Sequence, residues 1–193
     1  MSQPDAPIFT RIGVFCGSSD SVDQSYLDLA SATGEALAAR GIELVYGGGN
    51  SGLMGAVADA TMAGGGRVTG VIPGGLFSNR IDADRVTTLE VVDNMHARKA
   101  RMYELSDAFM GLPGGIGTFE EVFEAATWSQ IGAHVDGACK PVVLVDTNGY
   151  YDPVRQLLDR TTADNFMTPE SRALVRFANS VDAAFDALAA ASI

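Results

Sequence analysis

The stretch IELVYGGGNSGLMG, residues 42–55, passes from a continuous apolar run through three glycines into a helical pattern. An apolar run without alternation predicts a strand buried on both faces. Leu53–Ala63 then predicts a helix, stopped by Gly64-Gly65-Gly66. The same unit recurs along the chain. Arg11–Cys16 leads into Gly17-Ser18-Ser19 and a helix over Gln24–Arg40. Val68–Ile72 ends at Pro73-Gly74-Gly75. Ala108–Leu112 runs into Pro113-Gly114-Gly115-Ile116-Gly117 and a helix over Thr118–Ile131. Val86–Val92, Pro141–Asp146 and Leu174–Phe177 read as further strands, and Met95–Ser106, Tyr151–Asn165 and Val181–Ala191 as further helices. Short apolar strands alternating with helices predict a single α/β domain, a parallel sheet with helices on both faces. Ligands of such sheets sit at the carboxyl ends of the strands, where the glycine loops lie. Residues 1–10 are expected as a flexible tail and 11–193 as the domain.

Thirteen Lys+Arg stand against 24 Asp+Glu in 193 residues, a net charge of −11. This balance argues against a nucleic-acid partner, which needs a basic stripe. A local site can still hold a small anion. With 47% hydrophobic residues, the chain is globular and buries a core without disulfides or a metal. Cys16 and Cys139 form no CxxC, and Cys16 reads as a small buried hydrophobe. No apolar stretch reaches the roughly 18 residues of a membrane span. Residues 1–7 lack the basic and apolar regions of a secretory signal. A cytoplasmic protein without a membrane partner is the expectation.

Each loop admits two readings. Gly17-Ser18-Ser19 offers amides and hydroxyls to an anion, or is a strand-to-helix turn with a serine cap. Gly47, Gly49 and Gly52 fit G-x-G-x-x-G between a strand and a helix. The acidic residue of a dinucleotide site, about 20 residues on, is missing. A phosphate or nucleotide cradle fits better than a standard NAD site, with tight turns as the plainer alternative. In the third loop, free N–H groups at the start of the following helix favour an anion. Thr118 and Glu121 also fit a capping box. A carboxylate there would repel a phosphate, which assigns Glu121 to the sugar or base.

Met95-His96-Ala97-Arg98-Lys99-Ala100-Arg101 puts three cations at the start of a helix. Arg98 and Arg101 share a face, with Lys99 turned away by about 100°. Such runs are usually solvated, but cations here oppose the helix dipole unless an anion, phosphate or Glu121, stands nearby. His96 and His134 form no zinc pattern, and Asp82 and Asp84 read as a solvated loop rather than a metal site. The run Thr127–His134, around Trp128 and Ile131, reads as packing or a subunit interface.

Pro113-Gly114-Gly115-Ile116-Gly117-Thr118-Phe119-Glu120-Glu121 resembles the PGGxGTxxE motif of the LOG family of cytokinin-activating phosphoribohydrolases, proteins often labelled lysine decarboxylases. Met95-His96-Ala97-Arg98-Lys99 resembles the family's MHxRK segment, and Gly47–Gly55 its first glycine loop. Thr127-Trp128, Gln130, Gly132, His134 and Lys140-Pro141 extend the likeness over nearly the whole chain. The resemblance implies a homodimeric Rossmann-like domain. It implies hydrolysis of the N-glycosidic bond of N6-substituted adenosine 5′-monophosphates, giving a free cytokinin base and ribose 5-phosphate. By position it makes Arg98 and Glu121 the catalytic pair. Lys99, Gly114, Gly115, Ile116, Gly117, Thr118, Phe119, Glu120 and Thr127 would contact the nucleotide. Gly17, Ser18, Gly48, Gly49 and Met95 complete the expected nucleotide or phosphate site. No metal or cofactor is implied. Where many relatives carry Glu after an Arg in the loop beyond Pro73, this chain has Asn79-Arg80, which bears on the N6 preference.

That chemistry suits the residues. Breaking a ribosyl–base bond builds positive charge on the ribose, which a carboxylate stabilises while it orients water. A general nucleoside-monophosphate nucleosidase, or a non-enzymatic carrier like the molybdenum cofactor carriers, fits the same fold. The Arg98/Glu121 pair argues for chemistry.

Overall fold

The computed structural model describes residues 9–74 and 85–191. Strands β1 (Arg11–Phe15), β2 (Glu43–Tyr46), β3 (Val68–Pro73), β4 (Thr88–Val92), β5 (Ala108–Gly111), β6 (Val142–Val145) and β7 (Val175–Ala178) form one sheet. Their order is β4-β3-β2-β1-β5-β6-β7, and every neighbouring pair is parallel. The helices are α1 (Gln24–Ala39), α2 (Gly52–Ala63), α3 (Met95–Leu105), α4 (Ile116–Ile131), α5 (Asp152–Ala163), α6 (Pro169–Arg172) and α7 (Val181–Ala189).

Alternation along each strand divides the core in two. Ile12, Val14, Leu44 and Met110 face a cluster closed by Leu37 of α1, Val57 of α2 and Leu188 of α7. Phe15, Val45, Phe109 and Leu144 face the other side, against Tyr103 of α3, Val122 of α4 and Leu158 of α5. Both faces are thus covered, which is why these strands carry no polar alternation. The α/β parallel sheet expected from the sequence is the observed fold, a single Rossmann-like layer arrangement.

Some boundaries move, for local reasons. Helix α4 begins at Ile116 with Gly115 as its N-cap and no side-chain cap. Thr118 therefore lies inside the first turn, and the expected Thr118–Glu121 capping box does not form. Helix α1 is capped by Asp23, whose carboxylate accepts the Ser25 amide at 2.9 Å, so no serine of the first loop caps it. A 3-10 turn at Val135–Gly137 and the short α6, capped by Thr168, are additions to the sequence reading. Within the expected tail, residues 1–8 lie outside the described residues, whereas Phe9 is buried and Thr10 donates to Asp107 at 2.8 Å. The Asn79-Arg80 loop and the Asp82/Asp84 pair also lie outside the described residues. Cys16 is buried as expected, and burial pushes its thiol up.

His134 joins the end of α4 to the segment entering β6. The Ala125 carbonyl only accepts, so Nε2 carries the proton, 3.2 Å from it and 3.1 Å from Ser129 Oγ. Ser129 Oγ in turn donates to the Lys140 carbonyl at 2.8 Å and accepts the Lys140 amide at 3.1 Å. Nδ1 is buried without a partner, and the ring packs among Tyr103, Phe109 and Trp128. Burial, reinforced by the Lys140 charge, holds the imidazole below its usual pKa of 6.5, against the pull of the Ala125 carbonyl.

A base whose pKa falls on folding contributes stability above its unfolded pKa and loses it as pH drops toward the folded value. The melting temperature is therefore expected to fall as pH drops below about 6.5. His134→Gln, which keeps an amide donor for Ala125, is expected to lose less on acidification. Equal losses in thermal melts at pH 7.5 and 5.5 would assign the acid sensitivity elsewhere.

Candidate active site at the carboxyl edge of the sheet

The chain leaves β1 toward β2 on one side, while β5 pairs with β1 on the other. Connections diverge there, and such a switch point leaves a crevice at the carboxyl ends of the strands. The three glycine loops meet at this edge. The Gly17 amide donates to the Pro113 carbonyl at 3.0 Å, and the Gly17 carbonyl accepts the Leu53 amide at 3.0 Å. Ser51 Oγ donates to the Ser18 carbonyl at 2.8 Å. Asp20 accepts the Gly52 amide at 2.7 Å, serving the start of α2. Gly52 has φ +55°, and a Cβ there would stand 2.6 Å from the Ser19 carbonyl, so only glycine suits it.

Two clefts open between the loops and share Ser18. One, of about 270 Å³, is lined by Ser18, Gly48, Gly49, Met54, Met95 and Arg98 among others. The second, of about 360 Å³, is lined by Gly17, Ser18, Tyr26, Gly114, Gly115 and Tyr150 among others. The uncapped first turn of α4 borders the second cleft, an arrangement that favours an anion.

Arg98 enters the first cleft from the opening turns of α3, whose N-cap Asn94 accepts the Ala97 amide at 3.0 Å. Its Nε donates to the Val71 carbonyl at 3.1 Å and its Nη1 to Glu121 Oε1 at 3.0 Å. A Cβ on Gly47 would coincide with the guanidinium, so glycine at that position makes room for it. The Arg98 and Glu121 side chains are 12% and 14% exposed. Burial raises the Glu121 carboxyl above the usual glutamate range, while the Arg98 charge and hydrogen bond pull it back. Neighbouring Glu120 adds to the rise, and Lys99 opposes it.

The other two cations also have carboxylate partners, so the run is no plain solvated face. Lys99, buried, pairs with Glu120 and, at 2.7 Å, with Glu124. Arg101 clamps Glu90 of β4 at 2.6 and 3.0 Å and reaches Glu104 at 3.1 Å. Tyr103 donates to Glu124 at 2.8 Å, tying α3 to α4 once more.

The structure thus gathers Gly17, Ser18, Gly48, Gly49, Met95, Gly114, Gly115 and Arg98 in the two cleft linings, while Glu121 stands behind them, joined to the first cleft through Arg98. Ile116 is exposed at the tip of α4, with Gly117 beside it. Thr118 is buried beneath Gly114, and Phe119 packs edge-on to Tyr151. Lys99 and Glu120 face each other rather than either cleft lining. Thr127 lies farther along α4, where its hydroxyl donates to the Phe123 carbonyl at 2.7 Å. Sequence reasoning passed over Tyr26 and Tyr150. Nothing in their local spacing marks them, because the Tyr150 hydroxyl serves a carbonyl 36 residues away. No group of three or more His, Cys, Asp or Glu among the described residues is placed to hold a metal, and no described helix is long and apolar enough to cross a membrane.

Comparison with known proteins bears on the family and the fold. A family model described as possible lysine decarboxylase matches residues 54–188. The chain is 47% identical over 175 residues to a protein of Oryza sativa subsp. japonica named probable cytokinin riboside 5′-monophosphate phosphoribohydrolase, covering 91% of this chain and 74% of the relative. It is 43% identical over 167 residues to the cytokinin riboside 5′-monophosphate phosphoribohydrolase LOG of the same plant, covering 86% and 67%. Among solved structures, the molybdenum cofactor carrier protein of Chlamydomonas reinhardtii matches with a TM-score of 0.69 at 24% identity, over 93% of this chain and 96% of that one. That likeness concerns the fold. The decarboxylase description does not fit the lysines, because a pyridoxal Schiff base needs an available amine. Lys99 is held by two carboxylates, and Lys140 donates to the Tyr103 and Ser106 carbonyls at 2.6 Å each, closing the end of α3. By identity spread over nearly its whole length, the chain belongs to the LOG family.

Proposed function

We propose that this protein hydrolyses the N-glycosidic bond of N6-substituted adenosine 5′-monophosphates to a free cytokinin base and ribose 5-phosphate. The observation that carries the reading is the buried Arg98–Glu121 pair at a crevice between glycine loops, in a chain 43–47% identical to proteins named for that activity. The 5′-phosphate takes the cleft at the uncapped end of α4, where amides and the helix dipole face it. The sugar and base lie across Ser18, toward Arg98. Binding the phosphate away from the reacting bond holds the ribose in register.

Departure of the base leaves positive charge on the ribose. The Glu121 carboxylate stabilises that charge and takes a proton from the attacking water. The water oxygen bonds C1′, and the electron pair of the broken C1′–N bond leaves with the base, which takes up a proton. Arg98 holds the carboxylate in place and opposes the rise that burial gives its pKa. No residue described here selects among N6 substituents, so a broader nucleoside-monophosphate specificity is tested with the same assays. A carrier on this fold would bind its nucleotide and return it intact.

We also propose a homodimer. Ile131 at the end of α4 and Val135 in the 3-10 turn that follows, 68% and 54% exposed, supply the apolar surface for it.

Glu121→Gln is expected to lower kcat by about 10²–10⁴-fold while leaving binding of adenosine 5′-monophosphate near wild type; the melting temperature should fall, because the Arg98 guanidinium is left buried without its carboxylate. A kcat near wild type would remove Glu121 from the chemistry. Arg98→Gln withdraws the charge that holds the Glu121 pKa down. The acid limb of kcat, already above the ordinary glutamate range, should then move to still higher pH. An unmoved limb would separate Arg98 from the carboxylate. Adenosine 5′-monophosphate should be cleaved far faster than adenosine, and comparable kcat/KM values would contradict the phosphate anchor. Light scattering at micromolar concentration should give twice the chain mass; the monomer mass would refute the dimer.

A further inference from the structure

The loop between β5 and α4 is held by its carbonyls. Three consecutive carbonyl oxygens each have a donor from outside the loop. Tyr151 donates its hydroxyl to the Leu112 carbonyl at 2.5 Å. The Gly17 amide takes the Pro113 carbonyl at 3.0 Å. Tyr150 donates its hydroxyl to the Gly114 carbonyl at 2.7 Å. The two tyrosines are adjacent in sequence, pack edge to face with centroids 5.0 Å apart, and follow the turn that leaves β6. Tyr151 is buried, and its backbone amide is fixed by Asp146 at 2.9 Å. Tyr150 stands at the wall of the larger cleft, against Tyr26.

The consequence is directional. A loop of Pro-Gly-Gly has wide conformational freedom, and ordering it costs entropy on binding. With each of the three carbonyls already bonded to its own donor, none is free to swing toward an anion, and the loop enters α4 in one fixed conformation. Nothing within the loop can do this, because glycines carry no side chains and α4 has no side-chain cap. We propose that Tyr150 is a positioning residue, whose hydroxyl fixes the Gly114 carbonyl so that the first turn of α4 presents ordered amides to the substrate's 5′-phosphate. The proposal rests on the phosphate placement given above. It adds that the strength of phosphate binding is set from the turn after β6, by a hydroxyl outside the glycine motifs.

Tyr150→Phe removes one hydroxyl and keeps the ring against Tyr26 and Tyr151. Losing one net hydrogen bond corresponds to about a 3- to 10-fold effect. Two readouts are needed. In the ligand-free protein, amide hydrogen exchange over 112–117 should speed up while the sheet remains protected. By calorimetry, the Kd for ribose 5-phosphate should rise by about 3- to 10-fold, with KM for the nucleoside monophosphate rising alongside and kcat within about 2-fold. Unchanged exchange over 112–117 would overturn the proposal, and so would faster exchange with an unchanged Kd. Wild-type protein that does not bind ribose 5-phosphate would overturn both the phosphate placement and this inference. Wild-type binding with a Tyr150→Phe protein indistinguishable from it would overturn this inference alone. Tyr26→Phe, a change on the same cleft wall that leaves the Gly114 carbonyl its donor, should leave exchange over 112–117 at the wild-type rate. Exchange accelerated equally by it would count against the proposal.

Discussion

The site depends on one buried ion pair. Arg98 of α3 and Glu121 of α4 meet at 3.0 Å in surroundings that would otherwise reject either charge. Taking two charges out of water is unfavourable unless both are paired and hydrogen-bonded. Arg98 meets this condition with three partners, the Glu121 carboxylate, the Val71 carbonyl and Met95 sulfur. The pair constrains its surroundings. Gly47 has no side chain because the guanidinium occupies that space. Helices α3 and α4 must keep a fixed separation, which the Lys99–Glu124–Tyr103 contacts hold a turn further along. Lys140 closes the far end of α3, so the helix that carries Arg98 is fixed at both ends.

The pair accounts for the cations at the start of α3. Positive side chains there oppose the helix dipole, and isolated ones would be destabilising. Each of the three instead answers a carboxylate on another element: Glu121 and Glu120 on α4, Glu90 on β4. In a chain of net charge −11 these cations are few, and three of them are spent on arranging one helix. Only Arg98 reaches a cleft lining. Lys99 and Arg101 set where it stands.

The sheet, both helical layers and the convergence of the glycine loops were legible in the sequence, because buried parallel strands have no polar alternation and strand-loop-helix order dictates where loops gather. The Arg98–Glu121 pairing was legible as a need: misplaced cations wanted an anion, and Glu121 was a candidate. The start of α4 was misread, since Thr118 and Glu121 have capping-box spacing while Gly115 supplies the extended cap residue. Spacing along one segment carries no information about a carboxylate's partner on another helix. The same limit hid Tyr150 and Tyr151, whose hydroxyls serve carbonyls 36 and 39 residues away. The partners of Lys99 were hidden likewise, because a lysine in a phosphate-site motif looks the same whether it faces a ligand or two glutamates.

The central claim is that this crevice breaks a bond rather than holding a nucleotide. The direct measurement is the product balance when N6-isopentenyladenosine 5′-monophosphate is supplied in large excess over purified protein, with base and sugar phosphate separated by chromatography and identified by mass. The account predicts free N6-isopentenyladenine and ribose 5-phosphate in equal amounts, exceeding the protein many-fold. Recovery of the intact nucleotide, bound at no more than one per site, would contradict it.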